Sequence, residues 1–241
     1  MMFRRRFLLL GFAACLLISP APTTSGGRDN RIWRLAEARL EPALLSANLE
    51  PLVPSEVIDF DGDGRPETLS LVNGQALIQT GKQIRWESPQ AWQVRQVQIA
   101  DLNHDSQPEA VLLVWRTFQP WPIDAWLPHG GRIDQFHNSD GMSCHLILIG
   151  WLKRSFGERW AGSALAQPVT TFAAADLTGS GKQFLVTLEA EYDDPPSVPA
   201  RNLKVWEWNG FGFTVVSQEP GAFNQLVIAR AGNGQLLILV P

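Results

Sequence analysis

A short pattern that recurs four times constrains the fold of this chain more than any other feature of its sequence. Each copy is a short apolar stretch, a polar loop of about nine residues and a β-branched or leucine-rich stretch, with loops that start at Asp59, Asp101, Asp176 and Ala229. Short apolar stretches bounded by turn residues indicate strands, so each copy predicts a β-hairpin. Because repeated units of this kind bury their apolar faces against one another, the chain is predicted to be all-β.

The spacing of the loops predicts how many units there are. Successive loop starts lie 42, 75 and 53 residues apart, and a four-stranded propeller blade takes about 40–50 residues. We therefore predict a small β-propeller of about four blades over residues 57–241, with an insertion at residues 116–144. The last unit, residues 226–241, has room for two strands only, so residues 26–56 are expected to close that blade.

The segment before the first repeat has an ambiguous pattern. Helical spacing of its apolar residues favours a short helix followed by an extended stretch, although Pro42 interrupts that spacing: Trp33, Ala36, Leu40 and Leu44. An irregular strand is the alternative for the same residues.

Oxygen-bearing side chains occupy positions 1, 3, 5 and 9 of the first loop. These are Asp59, Asp61, Asp63 and Glu67. Position 6 is Gly64, and the backbone carbonyl of Arg65 at position 7 adds another oxygen. Ca²⁺ prefers six or more oxygens, so the loop predicts a calcium site, and an acidic turn is the alternative. It is not an EF-hand, because Ser70 stands at position 12 and a strand follows.

The other three loops depart from this pattern to different degrees. The second keeps the oxygen donors, including the carbonyl of Gln107, and predicts a second calcium site: Asp101, Asn103, Asp105, Gln107 and Glu109. Ser106 replaces its glycine. The third loop has Thr178, Ser180 and Phe184 where the first has acids, and the fourth has no acid at all. Both are expected to be purely structural.

The acidic loops resemble those of the FG-GAP/VCBS repeats, the blade repeats of integrin-α-like β-propellers. The family motif, D-x-[DN]-x-D-G-x-x-[DE], is matched fully by residues 59–67 and nearly by residues 101–109, and only its skeleton remains from Asp176. The resemblance covers roughly residues 57–241 and extends to bacterial exported proteins of this overall length. It implies antiparallel blades around an axis, calcium at some blade loops and a binding or scaffolding role.

The N-terminus has the layout of a secretory signal peptide. Residues 1–6 carry a positive charge from three arginines, residues 7–18 form an apolar run of 12 residues, and small, helix-breaking residues follow. Residues 1–25 are therefore expected to be a signal peptide that is cleaved after Ala21 or Ser25. Lipid attachment at Cys15 and an uncleaved anchor are the alternatives. In each case the domain is expected to be extracytoplasmic, either secreted or held in the cell envelope.

Charge and cysteine content narrow the classes of partner and the means of stabilisation. The chain carries a formal net charge of −4, and without the arginines at 4–6 it has 17 basic against 24 acidic residues, or −7. A nucleic-acid partner is not expected, because phosphate binding needs a basic face. Cys144 is the only cysteine outside the leader, so the domain is expected to be held together by its core or by metal rather than by an intramolecular disulfide.

The insertion at residues 116–144 concentrates indole and imidazole side chains. Long inserts leave a propeller at a ring surface, where binding loops vary without disturbing the core, and flat indole rings suit sugar or peptide recognition. We therefore expect a ligand surface built from Trp121, Trp126, His129 and His137. Burial of the tryptophans as core residues is the alternative.

The same region permits two chemical interpretations. Zn²⁺ or Cu²⁺ could bind His129, His137, Cys144 and His145, although the spacing matches no standard metal motif. Cys144 could also act as a nucleophile, with His137 as its base because Cys144 and His145 point to opposite faces of a strand. Local hydrogen bonds to backbone are the simpler alternative for these side chains.

Together these features favour an exported, calcium-stabilised β-propeller that is not an enzyme. Such a binding or scaffold module would recognise a protein or a cell-surface polysaccharide. The alternative is a metal-dependent or Cys/His hydrolase that uses residues 116–145. A membrane association is expected only through a lipid anchor at Cys15.

Overall fold

The computed structural model describes residues 31–44, 48–120 and 135–241. These residues form four small antiparallel sheets arranged as a four-bladed β-propeller with essentially no helix, which confirms the predicted fold class. No helix within these ranges is long and apolar enough to cross a bilayer. The predicted signal peptide, Cys15 included, lies outside the described residues.

The strands follow the repeats along the chain. Three short strands come first: β1 (Arg31–Ala36), β2 (Arg39–Pro42) and β3 (Leu49–Pro51). Blade 1 contains β4 (Val57–Ile58), β5 (Glu67–Val72), β6 (Gln75–Thr80) and β7 (Gln83–Glu87). Blade 2 contains β8 (Gln93–Ala100), β9 (Glu109–Thr117), β10 (Met142–Leu152) and β11 (Ser155–Ala161). Blade 3 contains β12 (Val169–Ala175), β13 (Phe184–Glu189), β14 (Ala200–Trp208) and β15 (Phe213–Phe223). The last two strands are β16 (Val227–Ala231) and β17 (Leu236–Val240).

Blade 4 is built from both ends of the described chain. Strand β1 pairs antiparallel with β17, with Trp33 opposite Ile238, and β3 pairs with β16. The sheet order is β2-β1-β17-β16-β3. The short helix favoured for this segment is wrong, because pairing of β1 with β2 on one edge and with β17 on the other outweighs a weak local preference. The chain turns between β1 and β2 at Glu37 and Ala38, whose φ values are 47° and 61°.

The repeat loops and the insertion lie at opposite ends of the blades. The four repeat loops connect β4 to β5, β8 to β9, β12 to β13 and β16 to β17. Successive connections in an antiparallel sheet alternate between its two ends. The loops that start at Asp59, Asp101 and Asp176 therefore share what we call the acidic-loop face, and the β9–β10 insertion emerges on the opposite, insertion face.

The core lies between neighbouring blades. Alternate residues of β9 face opposite ways: Leu112 and Val114 pack in a cluster with blade 1, whereas Val111 and Leu113 pack in a cluster with blade 3. A third cluster joins blades 3 and 4. Because both faces of β9 are buried, its sequence is a continuous apolar run rather than an alternating one. Each fully buried aliphatic side chain contributes about 1.5–3 kcal/mol.

Strands β14 and β15 form a hairpin around the Asn-Gly sequence at 209–210. Trp206 and Trp208 pack against the cluster between blades 2 and 3. Phe211 is different, because it is 88% exposed at the turn. The reason for this exposure is its place at the tip of the turn, beyond the last paired residues.

Candidate metal centres and the insertion face

The carboxylate of Asp59 organises the backbone of the first loop. Its two oxygens accept hydrogen bonds from the N–H groups of Gly62 at 2.7 Å and Gly64 at 2.9 Å. Both glycines have positive φ, 74° and 83°, a conformation that glycine adopts without steric cost. The D-x-x-G-x-G spacing therefore fixes the loop around the first aspartate.

Three carboxylates of this loop converge. One oxygen from each of Asp59, Asp61 and Glu67 lies within 4.8 Å of the others. Glu67 is fully buried at the start of β5, where it accepts hydrogen bonds from the N–H of Phe60 at 2.9 Å and the hydroxyl of Thr80 at 2.9 Å. Asp63 is not in this group, and its carboxylate accepts the N–H of Arg65 at 2.8 Å.

Arg85 places a positive charge beside this group. Its guanidinium donates to Asp61 at 3.0 Å and lies 3.8 Å from Glu67. The same guanidinium lies 5.4 Å from the ring centroid of Trp151 in blade 2. The sequence motif contains no sign of this arginine, because it comes from β7, at the far edge of the blade.

The second loop repeats this arrangement with different details. Oxygens of Asp101, Asp105 and Glu109 lie within 4.8 Å of one another. The amide nitrogen of Asn103 donates to Glu109, and to Asp105 at 3.3 Å. Arg159, from β11, forms an ion pair with Asp105. The loop therefore gathers three of its predicted ligands, and the Asn103 amide presents its nitrogen to two of them.

The pKa of Glu109 reflects the crowding of carboxylates in this second group. Its pKa is raised to about 8, chiefly by burial and also by the neighbouring charges of Asp105 and Asp101, against the opposing effects of the Leu102 N–H and Arg159. A group of carboxylate ligands without imidazole or thiolate suits a hard divalent cation. The residues present thus fit a cation at either loop.

The third and fourth loops lack such a group. Asp176 accepts hydrogen bonds from Gly179 at 2.8 Å and Gly181 at 2.7 Å, as Asp59 does in the first loop. Within residues 31–44, 48–120 and 135–241, only the first two loops gather three or more acids, histidines or cysteines. The first three loops therefore share one turn, and the first two of them also contain a carboxylate cluster.

The predicted ligand surface is described only in part. Trp121, Trp126 and His129 lie outside the described residues. His137 lies against Phe118, with a centroid separation of 5.0 Å, and its Nδ1 donates to the carbonyl of Asn138 at 2.7 Å. The N–H of Ser139 donates to Asp193 at 2.8 Å, which ties the end of the insertion to blade 3.

Cys144 and His145 are interior groups. Burial raises the pKa of the Cys144 thiol to about 12, so the thiol stays protonated at neutral pH and is a poor nucleophile. His145 is also buried, and its pKa falls to about 4. Its Nδ1 donates to the carbonyl of Gly162 at 3.0 Å, and Nε2 accepts from Ser143 at 2.7 Å. Neither residue joins a metal-ligating group with His137 in the described part of the chain.

A cavity of about 680 Å³ opens on the insertion face between blades 2 and 3. Polar and aromatic side chains line it, among them Arg95, Trp115, Asp140, Glu191 and Tyr192. The edge of the Trp115 ring meets Tyr192 at a centroid separation of 5.7 Å. This concave surface adjoins the end of the insertion, and sequence reasoning missed it because its residues come from five separate segments.

Comparison with known proteins gives no assignment. No protein-family model matches the chain, and no curated protein matches it.

Proposed function

We propose that this protein is an exported, calcium-stabilised β-propeller of the FG-GAP/VCBS type that acts as a non-catalytic binding or scaffold module. The observation that carries the proposal is the convergence of Asp59, Asp61 and Glu67 within 4.8 Å, at a loop whose sequence matches the family motif in full. The propeller fold is consistent with a binding or scaffold role. The proposed compartment rests on the N-terminal sequence alone.

Calcium is the cation that the donor set supports best. The first loop offers only oxygen ligands, among them side chains on an exposed turn, and Ca²⁺ accepts such variable oxygen geometry more readily than Mg²⁺ does. Glu67 contributes a carboxylate held in place by Phe60 and Thr80. A cation would add positive charge beside carboxylates that Arg85 alone neutralises in part.

The insertion face is the proposed binding surface. Its cavity of about 680 Å³ adjoins Asn138 and Asp140, at the described end of the insertion, and Tyr192 and Trp115 add aromatic area. The sequence of the insertion also contains Trp121, Trp126 and His129. Aromatic and mixed-charge surfaces suit a protein or a polysaccharide. The proposed partner is therefore a protein or polysaccharide at the cell surface.

Calorimetric titration with CaCl₂ tests the calcium part of this proposal. Wild type should bind calcium, Glu67→Gln should lose the site of the first loop, and Asp63→Asn should retain measurable binding because its carboxylate lies outside the converging group. Absence of heat in wild type at millimolar calcium would contradict the proposal.

A polysaccharide array and an envelope-protein pull-down test the binding part. Once a partner is found, Trp121→Ala and Trp126→Ala should each weaken binding by about 2 kcal/mol if these side chains anchor it. Asp61→Asn, on the opposite face, is the control and should leave affinity unchanged. Equal losses in all three variants would show that binding does not depend on the insertion face.

A further inference from the structure

A second cavity, of about 240 Å³, lies between blades 2 and 3 and belongs to neither the acidic loops nor the insertion. Its walls are mostly apolar: Trp160 and Leu146 come from blade 2, and Trp206 and Phe213 come from blade 3. Ser163 and Ala166, on the β11–β12 connection, are exposed and lie at its mouth. An apolar cavity of about 150 Å³ is enough to hold benzene, so this one has room for a substituted aromatic ring.

Polar side chains stand among these apolar walls. Glu189 and Thr187 line the cavity, and both are buried. The Thr187 hydroxyl donates to one oxygen of Glu189 at 3.0 Å and accepts the Trp206 indole N–H at 2.9 Å. The Lys204 ammonium donates to the other Glu189 oxygen at 2.6 Å and to Gln167 at 3.1 Å.

This network decides which hydrogen bonds a bound molecule can form. The hydroxyl of Thr187 and the N–H of Trp206 are already donated within the network. A carboxylate oxygen accepts more than one hydrogen bond, so Glu189 retains acceptor capacity. At this network, a bound group must therefore supply the donor.

Charge at the same place favours a neutral group. Burial raises the pKa of Glu189, whereas the Lys204 ammonium and the Thr187 hydroxyl act to lower it. With the carboxylate ionised beside the ammonium, the pair has no net charge. An ionic ligand would be desolvated on entry, and a pair without net charge does not offset that cost.

We propose that the cavity between blades 2 and 3 binds a neutral aromatic group, of phenol or indole size, that carries an O–H or N–H donor. The ring would pack between Trp160, Trp206 and Phe213, and its donor would bond to Glu189. Apolar pockets with a few convergent polar groups are the usual form of small-ligand sites. This site is independent of calcium and goes beyond the proposed recognition of a protein or polysaccharide.

Binding of p-cresol, compared with that of the isosteric p-xylene, tests the proposal directly. Ligand-observed NMR on the exported domain should show p-cresol binding about tenfold more tightly than p-xylene, the effect of one hydrogen bond to a charged acceptor. The preference should fall toward parity in Glu189→Gln. Equal affinities in wild type, or no binding of either probe at saturating concentration, would overturn the proposal.

A blocking variant keeps the test valid if Glu189→Gln does not fold. Ala166→Trp places a large side chain at the mouth and should abolish p-cresol binding. Ala91→Trp is its matched control, because Ala91 is exposed on the corresponding connection between blades 1 and 2 and lies outside the cavity lining. Unchanged p-cresol affinity in Ala166→Trp, with a folded protein by circular dichroism, would also overturn the proposal.

The aromatic donor could belong to a free molecule or to a tyrosine or tryptophan of a partner. N-acetyltyrosinamide distinguishes these sources because it carries the p-cresol ring on a peptide backbone. If N-acetyltyrosinamide binds at least as tightly as p-cresol, the result supports a side chain of a partner as the source of the aromatic group. Exclusion of the amide with retained p-cresol binding supports a free phenolic compound. Competition between p-cresol and indole supports a single shared site, and simultaneous binding of the two would contradict it.

Discussion

The loops at residues 59–67 and 176–184 share one turn but differ in chemistry. In each, the first aspartate accepts the N–H groups of two glycines, Gly62 and Gly64 in one loop and Gly179 and Gly181 in the other. At the ninth position the first loop has Glu67 and the third has Phe184. The shared aspartate is therefore a turn residue first, and the carboxylate cluster depends on the residues around it.

The ninth position shows what separates the two loops. Glu67 and Phe184 each begin the second strand of a blade, and both are buried. Phe184 joins the apolar cluster between blades 3 and 4, whereas Glu67 faces Asp61 and Arg85. A buried carboxylate is destabilising unless it is paired or bound to a cation. The same position in the blade thus belongs to the apolar core in one loop and to the carboxylate cluster in the other.

The largest expected difference between the two loops is the response to calcium. Millimolar CaCl₂ should raise the free energy of unfolding of wild type, by about 2.7 kcal/mol when the concentration is 100 times the Kd. Glu67→Gln should reduce this gain, because the first loop loses a ligand, and Phe184→Leu should leave it unchanged. Thermal denaturation in CaCl₂ and in EDTA measures the gain. An equal gain in both variants would mean that the first loop binds no calcium.

Removing the first aspartate separates its turn role from its ligand role. In EDTA, Asp59→Ala and Asp176→Ala should each lower the free energy of unfolding by about 2 kcal/mol, because each loses two or more hydrogen bonds to backbone N–H groups. In CaCl₂ the loss in Asp59→Ala should grow and that in Asp176→Ala should not. Urea denaturation under both conditions provides the measurement. A loss in EDTA for Asp59→Ala alone would show that the two turns are not equivalent.

The second loop allows the glycine requirement of the shared turn to be measured. Ser106 has a φ of 66°, where the first and third loops have Gly64 at 83° and Gly181 at 85°. Ser106→Gly should stabilise the protein by about 0.5–1 kcal/mol, because a left-handed conformation is strained for residues with a Cβ.

The reciprocal change, Gly64→Ser, provides the control for Ser106→Gly. A Cβ at Gly64 would meet no atom within 4 Å, so only backbone strain should act, and the protein should be destabilised by a similar amount. Chemical denaturation of both variants in EDTA compares them. Two changes of the same sign would show that φ does not determine this difference.

Local pattern was sufficient to predict the propeller. The four repeat loops, their glycines and the runs on either side of them depend on neighbours in sequence, and turn and strand signals of this kind are readable from a single chain. The helix favoured around Trp33 failed because β1 pairs on one edge with β2 and on the other with β17, about 200 residues away. Pairing on both edges overrides a weak local preference, and the pairing with β17 leaves no sign in the segment itself.

In the candidate sites too, features that are local in sequence were predictable and contacts between distant segments were not. Asp59, Asp61 and Glu67 lie within nine residues of one another, so their convergence was predictable. Arg85 and Arg159 reach the acidic loops from outer strands, and no motif specifies which strand lies beside a loop. The cavity at Glu189 was missed for a related reason. Its walls come from two blades, and the sequence shows their tryptophans only as apolar residues.

The smallest expected effect is the pH dependence of the free energy of unfolding that Asp176 contributes in the third loop. It tests the shared turn without calcium. Burial by itself would raise the pKa of Asp176 above its ordinary value of 3.8, but hydrogen bonds from the N–H groups of Gly181, Ser180, Thr178 and Gly179 outweigh it and lower the pKa. A carboxyl pKa that is lowered in the folded state stabilises that state at pH values above the pKa of the unfolded state, and this stabilisation is lost as pH falls through the lowered pKa.

In EDTA, the difference in free energy of unfolding between wild type and Asp176→Asn should therefore be constant above about pH 5 and should narrow below about pH 4. Urea denaturation of the two proteins across this range measures the difference. A difference that stays constant into strong acid would mean that the aspartate holds the turn by its shape and not by its charge, and the same would then be expected of Asp59.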